Sequence, residues 1–263
     1  MSYRLARTAH FLTIDVTGWH RDPVVAQALR NGVAGSFAAR DESVVDRVVD
    51  ELAAADARAT FFVDATVAVA AKTLARRLVG AGHEVGVLGT YDGDDWDEFR
   101  DDARSGRAVL EDQTGLQVRG FRSPSGARNG GPWRFDVLVE ESFEYDSSRT
   151  AGYIQSFVCG SGTLIEVPLT PGTALRYSTY AQLRGVLESR TRAAMPSVVA
   201  FSTWEMDVDQ PKVRLPMLAS IRHYGGRRAA GDRLHRMLTD FRFDAIAHRL
   251  TDLSQSAPQT FAA

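Results

Sequence analysis

The chain has 263 residues, 44% of them hydrophobic and 24% charged, with a formal net charge of −2. That is the composition of an ordinary soluble globular protein, long enough for one large core. The near-neutral balance speaks against a broad electrostatic footprint, and so against nucleic acid or a membrane as partner. The single cysteine, Cys159, has no partner for an internal disulfide and belongs to no zinc motif, and its Val-Cys-Gly-Ser-Gly context reads as a loop. The N-terminal Met-Ser-Tyr-Arg-Leu-Ala-Arg carries no apolar leader and no run suits a membrane span, so the expected location is cytoplasmic.

In chain order, Phe11, Leu12, Ile14 and Val16 form a first strand around Asp15, and Thr17-Gly18 stops it. Arg21–Arg40 is a connection broken by Asn31-Gly32 and Gly35. Asp41–Ala57 places Val44, Val45, Val48, Val49 and Leu52 on one helical face. Ala59–Asp64 is a strand that again ends in a carboxylate, Thr66–Gly80 a helix, and His83–Leu88 a third strand with a long acidic exit loop. Asp95–Thr114 is an amphipathic helix closed by Gly115, and Val118–Arg122 the fourth strand. Pro132–Glu141 is helical, Phe143–Tyr145 a brief strand before Asp146-Ser147-Ser148, and Leu164–Leu169 another strand. Ser178–Ala194 is a helix, Val198–Phe201 a strand, and His235–Arg249 a closing helix before ten loose residues. Strands alternate with helices throughout, with no composition shift marking a second domain. The expectation is one α/β domain over residues 1–263 with a parallel barrel or an open doubly wound sheet.

Several stretches resemble the polysaccharide deacetylases of the NodB-homology group, carbohydrate esterase family 4, in the branch found with exopolysaccharide and exosortase loci. They are Leu12-Thr-Ile-Asp-Val, Ala59-Thr-Phe-Phe-Val, Gly82-His-Glu-Val, Val118-Arg-Gly-Phe-Arg-Ser-Pro-Ser, Phe143-Glu-Tyr-Asp-Ser-Ser and Trp204-Glu-Met-Asp-Val-Asp-Gln-Pro. The last continues through Ile221-Arg-His-Tyr to Asp240-Phe-Arg-Phe, so the matches span nearly the whole chain in order. The resemblance implies a distorted (β/α) barrel of about seven parallel strands. It also implies metal-assisted amide hydrolysis, with one Asp and two His on the metal, a second Asp as base and a late His as acid.

The chain departs from that pattern. Asp15 matches the base, but the acidic pair usual after it is replaced in Asp15-Val16-Thr17-Gly18. The motif Ser-His-Gly-Tyr-x-His is here Val87-Leu88-Gly89-Thr90-Tyr91-Asp92, and the late His-Pro-Trp-Glu is Ser202-Thr203-Trp204-Glu205. Leucine ligates no metal, so the resemblance carries the scaffold without its metal site, and no cofactor is expected.

The candidate catalytic residues are Asp15 and Asp92 as acid/base groups and Arg122 as electrostatic anchor; Asp15 also fits a strand-end cap, and an Asp–Arg pair also fits a purely structural role. Trp19, His20, Tyr91, Trp133, Ser202, Trp204 and Glu205 are the candidate substrate contacts, since aromatics line sugar clefts and apolar pockets as readily as cores. His10 and His83 stand at strand starts, the end away from the chemistry. The favoured reading is a metal-independent enzyme on a deacetylase scaffold. Its expected partner is a small-molecule or carbohydrate-like ligand. Two alternatives stand beside it: a non-catalytic carbohydrate binder, and a deacetylase with a rearranged metal site.

Overall fold

The computed structural model describes residues 9–29, 39–124, 131–150 and 152–261. The strands are β1 (His10–Val16), β2 (Thr60–Asp64), β3 (Glu84–Leu88), β4 (Gly120–Arg122), β5 (Tyr145–Asp146), β6 (Gln155–Cys159), β7 (Gly162–Glu166), β8 (Val198–Ser202), β9 (Phe243–Asp244) and β10 (Gln259–Phe261). The helices are α1 (Pro23–Leu29), α2 (Ala39–Ala54), α3 (Ala65–Ala70), α4 (Leu74–Gly80), α5 (Trp96–Thr114), α6 (Trp133–Glu140), α7 (Tyr180–Arg192), α8 (Met217–Tyr224), α9 (Arg227–Asp240) and α10 (Leu250–Ser256). One sheet runs β10-β6-β7-β5-β4-β3-β2-β1-β8, with β9 also paired to β1. All pairings are parallel except the β6–β7 hairpin. This is the expected NodB-type α/β architecture, with a sheet that does not close. Across the seam Thr170 donates its amide to Val198 O at 2.9 Å, and Val198 donates back to Thr170 Oγ1 at 2.9 Å.

The period of two along the strands sorts the core into two clusters. Leu12, Ile14, Val16, Phe61 and Val63 point outward and join Val45, Val48 and Leu52 of α2 and Phe99, Ala103 and Leu110 of α5. Phe11, Phe62, Leu88, Tyr145, Ile165, Val167 and Val198 form the second cluster, on the other sheet face. Helix ends follow local chemistry. Asp95 caps α5 by accepting from the Asp97 and Glu98 amides, and Gly115 closes it in the left-handed region at φ 68°. Thr179 and Gln182 form a capping box on α7.

Several sequence expectations need correction. The span 66–80 is two helices, because the chain turns at Ala71–Thr73. The 21–40 connection holds α1, while its breakers Asn31-Gly32 and Gly35 lie outside the described residues. Cys159 ends a strand and is buried, because Gly160 turns a hairpin there. The closing helix begins earlier and stops at Asp240, so that Phe243–Asp244 pairs with β1. The last residues are tied down: α10 runs to Ser256 and β10 pairs with β6.

Candidate functional site

Polar and charged residues gather where the parallel strands end. Asp15 lies one residue from the end of β1, and Asp64, Arg122, Asp146, Glu166 and Ser202 close β2, β4, β5, β7 and β8. Asp64 has a local role: it caps α3 through the Thr66 amide at 2.7 Å and pairs with Arg21 at 2.8 Å. Among the described residues, the Asp15 side chain caps no turn. Arg122 Nη1 donates to its Oδ1 at 2.8 Å.

Arg122 is the hinge of the arrangement. It is 3% exposed, donates Nε to Ser147 O at 2.9 Å and Nη2 to Ser147 Oγ at 2.8 Å, and lies 4.2 Å from the Phe62 ring centroid. Ser147 Oγ donates in turn to Val167 O at 2.7 Å. Three strands thus fix one guanidinium, and that guanidinium fixes Asp15. Asp15 is the register partner of Ser202, and Leu88 that of Arg122.

Beyond β8 a 3-10 turn, Thr203–Met206, carries Trp204 and Glu205. Thr203 Oγ1 donates to Thr17 O at 3.3 Å, which holds the turn against the end of β1. Burial pushes the Glu205 carboxyl up to about 7; Arg176, 4.0 Å away, opposes that rise and the nearby Asp15 charge adds to it. Trp204 is stacked on His223 at 4.8 Å and 13°, with the Arg176 guanidinium 4.8 Å from its centroid. His223 Nδ1 lies 3.3 Å from Asp22 Oδ2. Burial raises the Asp22 carboxyl, but His223 and the Val24 and Val25 amides outweigh it and hold it below the ordinary value.

Behind Arg122 stands a buried acid pair. Asp146 and Glu166 face each other across β5 and β7. Burial raises both carboxyls, and the Asp146 charge drives Glu166 well above the ordinary range. Ser148 Oγ donates to Asp146 Oδ1 at 2.5 Å, and the Arg149 amide to Glu166 Oε1 at 3.3 Å.

The structure joins Asp15 and Arg122 directly and places Ser202, Trp204 and Glu205 on the neighbouring strand end and turn. Asp92 is exposed on the loop after β3 and shares no hydrogen bond or ion pair with Asp15 or Arg122 among the described residues. Tyr91 packs on the outer core and accepts the Asp95 amide at 2.8 Å. Trp133 stacks on Trp96 at 5.6 Å and meets Phe99 edge-on. Trp19 and His20 sit on the turn after β1, edge to face, and burial lowers the His20 pKa. His10 hydrogen-bonds Thr191 and the Ser197 amide, far along β1 from Asp15.

The donor set does not fit the family's metal. Leu88 is apolar and 6% exposed at the strand end, Asp15 is already engaged by a guanidinium, and no trio of His, Cys, Asp or Glu able to hold a metal occurs among the described residues. Sequence reasoning marked the Asp146-Ser147-Ser148 turn without giving Ser147 a role, and gave none to Phe62, Arg176, His223 or Glu166. Glu166 had a visible signal: Leu164-Ile-Glu is another strand ending in a carboxylate, as Asp15 and Asp64 are. Arg176 and His223 lie in loop and helix with no pattern pointing at Trp204.

Residues 28–134 match the family model for polysaccharide deacetylase, and residues 155–251 match a domain of unknown function, DUF3473. Glu166, Arg176, Trp204, Glu205 and His223 fall in the second segment, and Asp15 in neither. No curated protein matches the sequence. Among solved structures, a Mycobacterium smegmatis protein assigned as a polysaccharide deacetylase is 21% identical with TM-score 0.70, over 99% of this chain and 96% of that one. PuuE allantoinase is 17% identical with TM-score 0.67, over 99% and 94%. A family 4 pseudoenzyme from Bacillus anthracis is 15% identical with TM-score 0.53, over 92% and 65%. At these identities the likeness is one of fold. No helix among the described residues is long and apolar enough to cross a membrane.

Proposed function

We propose that this chain, which carries a polysaccharide deacetylase domain over residues 28–134, is a diverged homologue whose barrel mouth performs metal-independent acid/base chemistry on a small, carbohydrate-like substrate. The observation that carries the reading is the placing of two carboxyls with different partners at neighbouring strand ends, Asp15 on Arg122 and Glu205 near Arg176. Asp15 accepts from the Arg122 guanidinium at 2.8 Å. Glu205, on the adjoining turn, keeps its proton up to about pH 7 because it is buried. A carboxyl raised by burial suits the acid, and one beside a guanidinium at the neighbouring strand end is placed to act as the base.

In this reading Asp15 takes a proton from the substrate or from water, and Glu205 delivers one to the group that departs or rearranges. Arg122 stabilises negative charge at the Asp15 side, and Trp204 gives the substrate an apolar face. Hydrolysis, isomerisation, elimination and cyclisation all run on such a pair. Asp92 has a place here only as a rim contact, because it stands exposed on its loop. Trp19, His20 and Ser202 are the remaining rim contacts, while Tyr91 and Trp133 are engaged in the outer core.

A second reading, a carbohydrate-binding pseudoenzyme, draws on the same Arg122. Each of its nitrogens already has a partner in Asp15 or Ser147, as a purely structural clamp would. One experiment separates them. Chelator-treated protein is incubated with N-acetylated chitooligosaccharides and with a panel of small hydroxy and keto acids, and products are followed by mass spectrometry. The proposal expects turnover that Asp15→Asn and Glu205→Gln abolish with the fold intact. Binding without turnover would support the pseudoenzyme. Turnover only with added zinc or cobalt would support a rearranged metal site.

A further inference from the structure

The stretch from Gln210 to Gly231 contains Lys212, Arg214, Arg222, Arg227 and Arg228 and no acidic residue, a local charge that the chain's net of −2 conceals. It forms the arm leading into α8, α8 itself and the start of α9. The helix is held firmly from below. His223 is stacked on Trp204, and Tyr224 Oη donates to Pro211 O at 3.3 Å while accepting the Val213 amide at 2.7 Å. Arg176 donates to the Arg222 and Gly225 carbonyls, and Arg227 to the His223 carbonyl, so two guanidiniums cap its C-terminal end.

The opposite face of this fixed helix is apolar and open. Met217, Leu218 and Ile221 are 75%, 77% and 63% exposed. Exposed Lys212, Arg214, Arg222 and Arg228 surround them in sequence, and Tyr177, whose hydroxyl donates to Arg222 O, is exposed beside the helix end. Large exposed side chains concentrated on one rigid helix mark an interaction face. An apolar strip flanked by basic side chains is the pattern of a helix lying in a membrane interface, with the apolar residues among the acyl chains and the cations at the headgroups.

We propose that α8 docks the protein peripherally on an anionic lipid surface. An RNA or an anionic polysaccharide would use the cations but give Met217, Leu218 and Ile221 nothing to bury against. A second copy would bring like charges together. Because the buried side of α8 rests on Trp204 and Asp22, docking sets the strand-end mouth beside the headgroups. The inference stands apart from the chemistry proposed for Asp15 and Glu205.

The test is flotation of the full chain with phosphatidylcholine vesicles, neutral or containing about a third phosphatidylglycerol, across a range of salt. The wild type is expected to float with the anionic vesicles at low salt and to be released as salt rises. Leu218→Glu/Ile221→Glu, at exposed positions, is expected to keep the melting temperature and weaken binding about a hundredfold, since each lost apolar anchor is worth roughly tenfold. Lys212→Gln/Arg214→Gln/Arg222→Gln should weaken binding and flatten its salt dependence. Wild type that stays with neither vesicle overturns the proposal. So does vesicle binding in the apolar double variant within about twofold of wild type. A dimer that the double variant abolishes, without vesicle binding, overturns it in favour of a self-interface. Loss only in the cation variant overturns it in favour of a soluble polyanion.

Discussion

Replacing Arg122 by methionine removes three donors at the centre of the site and keeps an apolar stem over Phe62. The guanidinium is 3% exposed, and its acceptors are Asp15 Oδ1, Ser147 O and Ser147 Oγ at 2.8, 2.9 and 2.8 Å. Breaking a buried ion pair by deleting one partner costs roughly 3–5 kcal/mol, and a stranded buried neutral acceptor roughly 1–3 kcal/mol. The Asp15 side chain retains 14% exposure, so water relieves part of its isolation. Ser147 is fully buried and gains no such relief. We therefore expect Arg122→Met to cost about 3–5 kcal/mol, and Arg122→Lys about 1–3 kcal/mol, because an ammonium cannot span Asp15 and Ser147 together. Urea unfolding followed by tryptophan fluorescence and far-ultraviolet circular dichroism measures both. A cycle with Asp15→Asn should give a coupling of about 2 kcal/mol. A cost below about 1 kcal/mol for Arg122→Met at unchanged m-value would refute the hinge role.

Glu205 keeps its proton in the folded chain up to about 7, against 4.5 ordinarily. The folded state therefore binds more protons than the unfolded one between those values, and the stability this residue contributes is lost as pH rises through that window. The advantage of Glu205→Gln over wild type should grow from pH 4.5 to 7 by on the order of 2 kcal/mol and then level off, in urea titrations at stepped pH. The raised Glu166 carboxyl predicts the same sign: Glu166→Gln should gain on wild type as pH rises above the ordinary carboxylate range, read in the same urea titrations. A difference that stays flat with pH would refute the raised carboxyl. Gly120→Ala would set a methyl 2.1 Å from Tyr145 Cζ. That ring is buried and tied to Glu84, so the cost should be at least about 1–3 kcal/mol, read as a drop in melting temperature.

Strand ends were legible because their chemistry is local. An apolar run cut by a carboxylate and a turn shows itself in Asp15 and Asp64, and motif spacing put Arg122 at the end of β4. The departures from the family motifs were legible in Leu88, Asp92 and Ser202. Other features depend on contacts that no local pattern encodes. Ser147 holds Arg122 from 25 residues away in sequence. Helix α8 was hidden because Met217-Leu-Ala-Ser-Ile lacks a buried stripe: its apolar side faces outward. The strands β9 and β10 are two and three residues long and exist through pairing with β1 and β6. The single span read over 66–80 failed because Ala and Leu favour helix on both sides of a turn that tertiary packing imposes.

The central claim is that the mouth works through Asp15, Arg122 and Glu205 without a metal. Its most direct test is elemental mass spectrometry on the purified full chain, before and after incubation with zinc, cobalt and nickel and removal of free ion. The account predicts less than about a tenth of an equivalent retained, unchanged by Asp15→Asn or Asp92→Asn. Near-stoichiometric metal that either substitution removes would contradict it and make Asp92 a replacement ligand.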